Sequence, residues 1–407
     1  MKHENTTGSR IGLALAGGGP LGAIYEIGAL CALQESLVGI DFTDCHGYIG
    51  VSAGGFIAAG LANGIGPREQ CASFIENVGA AEDIFEPSMM VSPAWREFAR
   101  RLATLPLLAA TAALRYVFTR RSLAGTLEHF GSALPTGVFS NDVIDRQLAR
   151  QFGVAGRTND FRQLRRKLVL VATDLDSGNS APFGQPGFDH IPISKAVQAS
   201  SALPGLFPPV EIDGHFYVDG ALKKTLHASV LLDEGLDLLI CLNPLVPFDA
   251  SRALRHRVLS SHRGRIPPLV DGGLPVVLSQ TLRTLIHSRL EIGMKGYERS
   301  HPHTSIVLFE PDHRDPQMFL ANTFSYAQRR LLAEHAYQQT RQMLRARRGE
   351  LIRQFAPHGV HIADGVLADP KRRLLAAPAA KRRGGADALR RLEGVLDDLD
   401  VALAAYA

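Results

Sequence analysis

Residues 11–23 read IGLALAGGGPLGA and decide the fold of this 407-residue chain. The stretch 11–16 carries no polar side chain, which is typical of a strand buried on both faces of a sheet. Three glycines follow it, then an apolar pattern that predicts a helix over about 21–37, then a second strand at 48–51 that runs into a serine and another helix. This order predicts an α/β fold of three layers, a mostly parallel sheet flanked by helices. Further strands are predicted at 167–173, 236–242 and 305–309.

The composition excludes several classes of protein. Hydrophobic residues make up 45% and charged residues 21% of the chain, a balance typical of a folded globular protein. The net charge of +4 is too small at this length to indicate a nucleic-acid partner. The four cysteines lie far apart without CxxC spacing, which argues against a disulfide framework and against a zinc ribbon.

The sequence pattern predicts neither a signal peptide nor a membrane-spanning helix. The first ten residues, MKHENTTGSR, are polar and do not resemble a secretory leader. No stretch is long and apolar enough to predict a membrane-spanning helix. We therefore expect the protein in the cytoplasm or bound peripherally to the inner face of a membrane.

The pattern divides the chain into a catalytic domain and C-terminal segments. The domain is expected over 10–245, with a helical insertion at 85–150 that could cover the site as a lid. The part 246–366 is expected to pack on that domain, and 367–386 has the Pro, Ala, Gly and basic residues of a linker. A short amphipathic helix is predicted at 387–407 with a heptad seam. This seam could dock on the chain's own body or join copies into a homo-oligomer.

The pentapeptide Gly-Val-Ser-Ala-Gly at 50–54 lies between a predicted strand and a predicted helix. A serine at such a sharp turn exposes its hydroxyl, and flanking glycines let the backbone make the turn. Ser52 is therefore the candidate nucleophile. Acyl transfer also needs N–H donors for the developing oxyanion. The amide of Ala53 and the glycine loop after the first strand are the candidate donors.

Three motifs together resemble the patatin-like phospholipase family. They are GGGxxG at 17–22, GVSAGG at 50–55, and ASSALPGLFPPVEIDGHFYVDGA at 199–221. The resemblance covers about residues 10–245. It implies a Ser–Asp dyad without histidine that hydrolyses acyl esters of lipids, with no metal and no cofactor.

By position in the motifs, the resemblance makes Ser52 the nucleophile and Asp219 the base. It implies an oxyanion hole formed by Gly17, Gly18 and Gly19. The family often has a basic residue where this chain has Leu21, and this departure bears on turnover and head-group preference.

Two other functions remain open from the sequence. Gly17, Gly19 and Gly22 also satisfy GxGxxG, and Asp41 lies near the place expected for a ribose-binding acid, so the loop could belong to a nucleotide-binding reductase. The chain could also be a non-catalytic lipid- or partner-binding module that keeps the fold, a reading that Leu21 supports.

Other titratable residues compete for the catalytic roles. Asp271 precedes two glycines, as the family's aspartate does, but its surroundings predict a Pro/Gly turn. Asp174 and Asp176 follow a predicted strand and are expected to be loop or support residues. A histidine-containing triad would need His227 or His287, and no surrounding pattern distinguishes either one.

A lipid substrate requires contact with a surface. The stretch 96–121 has an apolar centre, 102–114, with arginines on both sides, and 252–265 is basic. Both are candidates for peripheral membrane contact. The alternative is that 102–114 is a helix buried over the sheet.

Overall fold

The computed structural model describes residues 8–80, 82–85, 92–119, 133–250, 268–320 and 328–375. The chain forms two compact units, residues 1–374 and 375–407, and the fold described here is that of the first. The basic stretch 252–265, the later part of the expected linker and the amphipathic segment 387–407 lie outside the described residues.

The strands and helices alternate along the first half of the chain. The strands are β1 Ile11–Leu15, β2 Leu37–Val38, β3 Gly47–Val51, β4 Lys167–Asp174, β5 Ser180–Phe183, β6 Val210–Ile212, β7 His215–Asp219, β8 Leu238–Leu242, β9 Ser305–Phe309 and β10 His361–Ile362. The α-helices are α1 Gly19–Ser36, α2 Ala53–Ala62, α3 Pro67–Gln70, α4 Trp95–Thr119, α5 Asp142–Phe152, α6 Ile193–Ser200, α7 Ser229–Leu232, α8 Gly273–Ser300, α9 Pro316–Leu320, α10 Arg329–Ala346, α11 Arg348–Phe355 and α12 Asp364–Ala368. A π-helical turn, Cys71–Glu76, follows α3, and short 3-10 helices occur at Phe161–Gln163, Gly220–Leu222, Leu269–Gly272 and Ala356–His358.

Among the described residues, eight strands form one sheet in the order β6-β7-β4-β3-β1-β8-β9, with β5 paired to β4. Five neighbouring strands, in the order β4, β3, β1, β8 and β9, run parallel to one another. The strands β5, β6 and β7 lie at one side of the sheet and pair antiparallel. The predicted α/β fold with a mostly parallel, helix-flanked sheet is confirmed. The predicted strand at 305–309 has the observed bounds, and the others differ by one or two residues at an end.

The central strands of the sheet are buried because helices cover both of its faces. Every residue of β1, β3 and β8 is buried. One face packs on α7 and α8 through a cluster that includes Ala14, Val51 and Leu290. On the other side, α1 packs closely on α10, where a Cβ added to Gly28 would lie 2.5 Å from the carbonyl oxygen of Ala333.

The described part of the expected insertion contains α4, a 25-residue helix with an internal proline, and most of α5, with irregular segments before each helix. On α4, the side chains Trp95, Leu102 and Leu107 are 67%, 62% and 68% exposed. The alternative that 102–114 is a helix buried over the sheet is therefore wrong for Leu102 and Leu107. In the described ranges, no helix combines the length and the hydropathy needed to cross a bilayer.

Candidate active site

Ser52 occupies a strained turn between the end of β3 and the start of α2. Its φ of 54° and ψ of −123° are rare for a residue with a side chain. The glycines of the motif let the turn press against its neighbours: a Cβ on Gly50 would lie 2.5 Å from the Cα of Gly55, and a Cβ on Gly54 would lie 2.4 Å from the carbonyl oxygen of Leu15. The turn therefore needs glycine on both sides of the serine.

A buried serine from another element anchors this turn. The backbone N–H of Ser52 donates to Oγ of Ser200 at 2.8 Å, and Oγ of Ser200 donates to the carbonyl oxygen of Val171 at 2.6 Å. Ser200 ends α6, and Val171 belongs to β4. Ser200 lies in the motif at 199–221, but its spacing from Ser52 in sequence gives no signal that the two residues meet.

The sheet brings Asp219 to the same place. Val171 of β4 pairs with Val51, and the next residue of β4, Ala172, pairs with Asp219 at the end of β7. Ser52 and Asp219 therefore approach each other across the end of β4. The side chain of Ser52 lies close enough to the Asp219 carboxylate to lower the pKa of that group.

Burial governs the chemistry of Asp219. Its side chain is 4% exposed, and desolvation raises its pKa to about 6. The backbone N–H of Ala221, which donates to Oδ1 at 2.9 Å, and the nearby side chain of Ser52 act in the opposite direction on this pKa. The carboxyl group can therefore gain or lose a proton near neutral pH, as a catalytic base must.

The glycine loop lies directly against the serine. A Cβ on Gly17 would lie 3.0 Å from Cβ and 3.6 Å from Oγ of Ser52, so a side chain there would crowd the hydroxyl. Gly18 precedes α1, and Gly19 begins it with a φ of 59°. Ala53 begins α2. Helix N-termini carry partial positive charge, which favours an oxyanion beside Ser52.

Leu21, where the family often has a basic residue, is buried in the first turn of α1 with 4% exposure. At this position, the chain uses apolar packing in place of a cation.

The competing carboxylates belong to other local structures. Asp271 is exposed in the 3-10 helix before α8. Asp174 accepts hydrogen bonds from the backbone N–H groups of Asp176 and Ser177, which makes it part of a tight turn. Asp174 and Asp176 thus lie in a turn at the end of β4, and Asp271 lies in a short 3-10 helix.

Neither candidate histidine joins the pair. Burial and the neighbouring Lys224 and Lys223 lower the pKa of His227 to about 3, so its ring is neutral at ordinary pH. His287 lies near Glu310 on another part of the sheet edge. In the described part of the chain, neither ring makes a hydrogen bond with Ser52 or Asp219.

The reductase alternative fails on topology. The glycine loop follows the C-terminal end of β1, whereas Asp41 precedes the N-terminal end of β3, which runs parallel to β1. Asp41 instead caps its own turn by accepting from the N–H of Thr43 at 2.8 Å. A ribose-binding acid would have to lie at the carboxyl end of the sheet, beside the loop.

A family model described as patatin-like phospholipase matches residues 13–232, more than half of the chain. An uncharacterized NTE family protein of Mycobacterium tuberculosis is 32% identical over 83 residues, which are 20% of this chain and 22% of that protein. A second such protein of the same strain is 24% identical over 276 residues, 65% of this chain and 37% of that protein. The chain thus spans well under half the length of these curated relatives.

Two bacterial proteins of solved structure are also similar. VipD from Legionella pneumophila has a TM-score of 0.34 and 15% identity, covering 83% of this chain and 67% of that one. The type III effector ExoU of Pseudomonas aeruginosa has a TM-score of 0.34 and 14% identity, covering 83% and 53%.

Proposed function

The chain belongs to the patatin-like phospholipase family, and we propose that it is a serine esterase that cleaves acyl ester bonds of membrane lipids, a phospholipase A-like lipid acyl hydrolase. One observation carries the proposal: a serine in a strained strand-to-helix turn lies near a buried carboxylate, across the end of β4, and beside a side-chain-free loop. This combination supplies the nucleophile, the base and room for an oxyanion.

In the proposed reaction, Ser52 is the nucleophile and Asp219 acts first as a base and then as an acid. Asp219 takes the proton from Oγ of Ser52 as the oxygen attacks the ester carbonyl carbon. Backbone N–H groups of Ala53 and of the loop Gly17, Gly18 and Gly19 stabilise the oxyanion of the tetrahedral intermediate. Asp219 then gives its proton to the leaving alcohol, which leaves an acyl-serine. Water activated by the same carboxylate releases the fatty acid.

The test compares two pairs of matched variants. Ser52→Ala and Asp219→Asn should each lower hydrolysis of a short-chain nitrophenyl ester at least about 1,000-fold, because each removes a member of the reacting unit. Ser201→Ala and Asp271→Asn should keep activity within a few fold. Ser52→Ala should abolish labelling by a fluorophosphonate and Asp219→Asn should slow it strongly, each with the fold intact by circular dichroism, whereas the two control variants should be labelled like the wild type. Near-wild-type hydrolysis by either dyad variant would remove that residue from the mechanism.

The proposed substrate is a membrane lipid, and α4 supplies the contact surface. Trp95, Leu102 and Leu107 are exposed near Arg96 and Arg100, an arrangement suited to the boundary between head groups and acyl chains. Replacing both leucines by aspartate should reduce flotation with anionic liposomes without changing hydrolysis of a soluble ester. Unchanged flotation would exclude these two side chains of α4 as the contact.

A further inference from the structure

Three side chains with metal-binding chemistry converge at the sheet edge beyond β9. His287 comes from α8, Glu310 directly follows β9, and His313 lies in the next loop. One ligand atom from each residue lies within 4.8 Å of the others. The rings of His287 and His313 are 4.8 Å apart between centroids and nearly perpendicular, at 74°.

The His287 ring is oriented as metal-binding histidines usually are. Its Nε2 lies 3.5 Å from Oε1 of Glu291, and its Nδ1 lies 3.6 Å from Oε1 of Glu310. With the ring proton on Nε2, facing Glu291, Nδ1 presents a lone pair to a carboxylate oxygen. Two acceptors that face each other in a buried place are unfavourable unless a positive charge lies between them.

The buried side of this cluster has an unsatisfied atom. Nδ1 of His287 is buried and has no hydrogen-bond partner, and the residue as a whole is 9% exposed. Because a buried polar atom without a partner is costly, it indicates that something missing from the polypeptide completes the cluster.

A second layer of hydrogen bonds holds the carboxylate. Nδ2 of Asn243, directly after β8, donates to Oε1 of Glu310 at 2.6 Å. The backbone N–H of Asn243 donates to the carbonyl oxygen of Phe309 at 3.0 Å, which fixes the position of the asparagine. In metal sites, the second ring nitrogen of a ligand histidine usually faces a carboxylate, and a ligand carboxylate usually accepts a further hydrogen bond. Here Glu291 faces the ring of His287, and the amide of Asn243 donates to Glu310.

We propose that His287, Glu310 and His313 bind one divalent transition-metal cation of the zinc type. Two imidazoles and one carboxylate are a ligand set that suits zinc and leaves a fourth position for water or another ligand. Zinc bonds of about 2.0–2.2 Å place tetrahedral ligands roughly 3.3–3.6 Å apart. The separation of 3.6 Å between Nδ1 of His287 and Oε1 of Glu310 already fits. The remaining separations are at most 4.8 Å, so binding has to shorten them by about 1 Å at most.

The surface offers access to this site. A cavity of about 390 Å³ lined by Asp249, Asp312, His313 and Arg314 opens beside it. Strands β1 and β8 lie between β3, which carries Ser52, and β9, so the cation is separate from the proposed esterase centre. A bound cation would link α8 to the end of β9.

The test measures metal binding directly. Tag-free full-length protein is stripped with a chelator, given excess zinc and desalted, and its zinc content is measured by mass spectrometry. The wild type should retain about one zinc per chain. Competition with a chromophoric chelator should show at least about 100-fold weaker binding for His313→Asn and for Glu310→Gln. His303→Asn, which changes an exposed histidine outside the cluster, should bind like the wild type.

Two further measurements separate a built site from surface binding. Cobalt in place of zinc should give the visible absorption of a four-coordinate ion in the wild type and not in His313→Asn. Asn243→Ala should weaken zinc binding about 10- to 100-fold, as loss of a residue that orients a ligand does. Less than a tenth of an equivalent of zinc in the wild type, or equal zinc content in all variants, would overturn the proposal. Either result leaves the proposed esterase untouched, because Ser52 is assayed separately.

Discussion

Burial of the Asp219 side chain sets the pH range in which it can accept a proton. Its pKa of about 6 means that the base is ionised above that pH and protonated below it. We expect kcat/KM for a soluble ester to rise with pH through a midpoint near 6, as measured on buffers of constant ionic strength. Asp271→Asn should leave the midpoint unchanged. A flat profile, or a midpoint near the ordinary aspartate value of about 3.9, would contradict the assignment.

The same carboxylate makes stability depend on pH with a defined sign. Its folded-state pKa lies above the unfolded value, so its contribution to stability is fully present at low pH and is lost as pH rises from about 4 through about 6. The full difference corresponds to roughly 3 kcal/mol. Asp219→Asn should therefore stabilise the protein at pH 8 relative to wild type, and much less at pH 4. Urea unfolding at both values measures this, and a larger gain at pH 4 would reverse the sign.

Ser200 positions the nucleophile without touching substrate. Ser200→Ala leaves the Ser52 N–H without its acceptor, which should cost about 1–3 kcal/mol of unfolding free energy. Because the turn can then shift, kcat should fall about 10- to 100-fold with little change in KM. Ser201→Ala is the matched control. A kcat equal to wild type in Ser200→Ala would show that the turn holds its geometry without this anchor.

At the scale of the element, α2 gives a sharp contrast between two adjacent glycines. A Cβ on Gly54 would lie 2.4 Å from the carbonyl oxygen of Leu15, whereas a Cβ on Gly55 would have 3.4 Å to the nearest atom, Cδ2 of Leu170. Gly54→Ala should therefore lose several kcal/mol of stability and most fluorophosphonate labelling. Gly55→Ala should stay within about 1 kcal/mol of wild type, since alanine also favours the helix. Equal melting temperatures for the two variants would contradict this packing.

The elements that could be predicted are those whose signal is local. The buried strand 11–16, the glycine loop and the turn at Ser52 each depend on neighbours in sequence, so the local pattern is sufficient to predict them. The anchor from Ser200 and the cluster of His287 with Glu310 depend on strand order and helix docking, which no local pattern encodes. The prediction for Asp41 fails for the same reason. Its distance from the glycine loop in sequence fits a ribose-binding acid, but it precedes β3 and therefore lies at the opposite end of the parallel strands from the loop.

At the scale of the whole molecule, residues beyond the family match complete the core. β8 pairs with β1 along its full length, and the N–H of Ala16 donates to the carbonyl oxygen of Leu242 at 3.0 Å. Pro244 packs on the glycine loop, 2.8 Å from where a Cβ on Gly18 would lie. The later half of the chain therefore helps to hold the loop against Ser52.

This dependence predicts the outcome of two truncations. A chain ending at residue 374 keeps the whole sheet and should fold and react with a fluorophosphonate. A chain ending at residue 232 retains the matched motifs but lacks β8 and β9, so β1 becomes an exposed edge strand and α1 loses α10. It should aggregate or remain unfolded, as measured by circular dichroism and size-exclusion chromatography, and it should not be labelled. A soluble, labelled chain of 232 residues would show that the motifs suffice without the strands that complete the sheet.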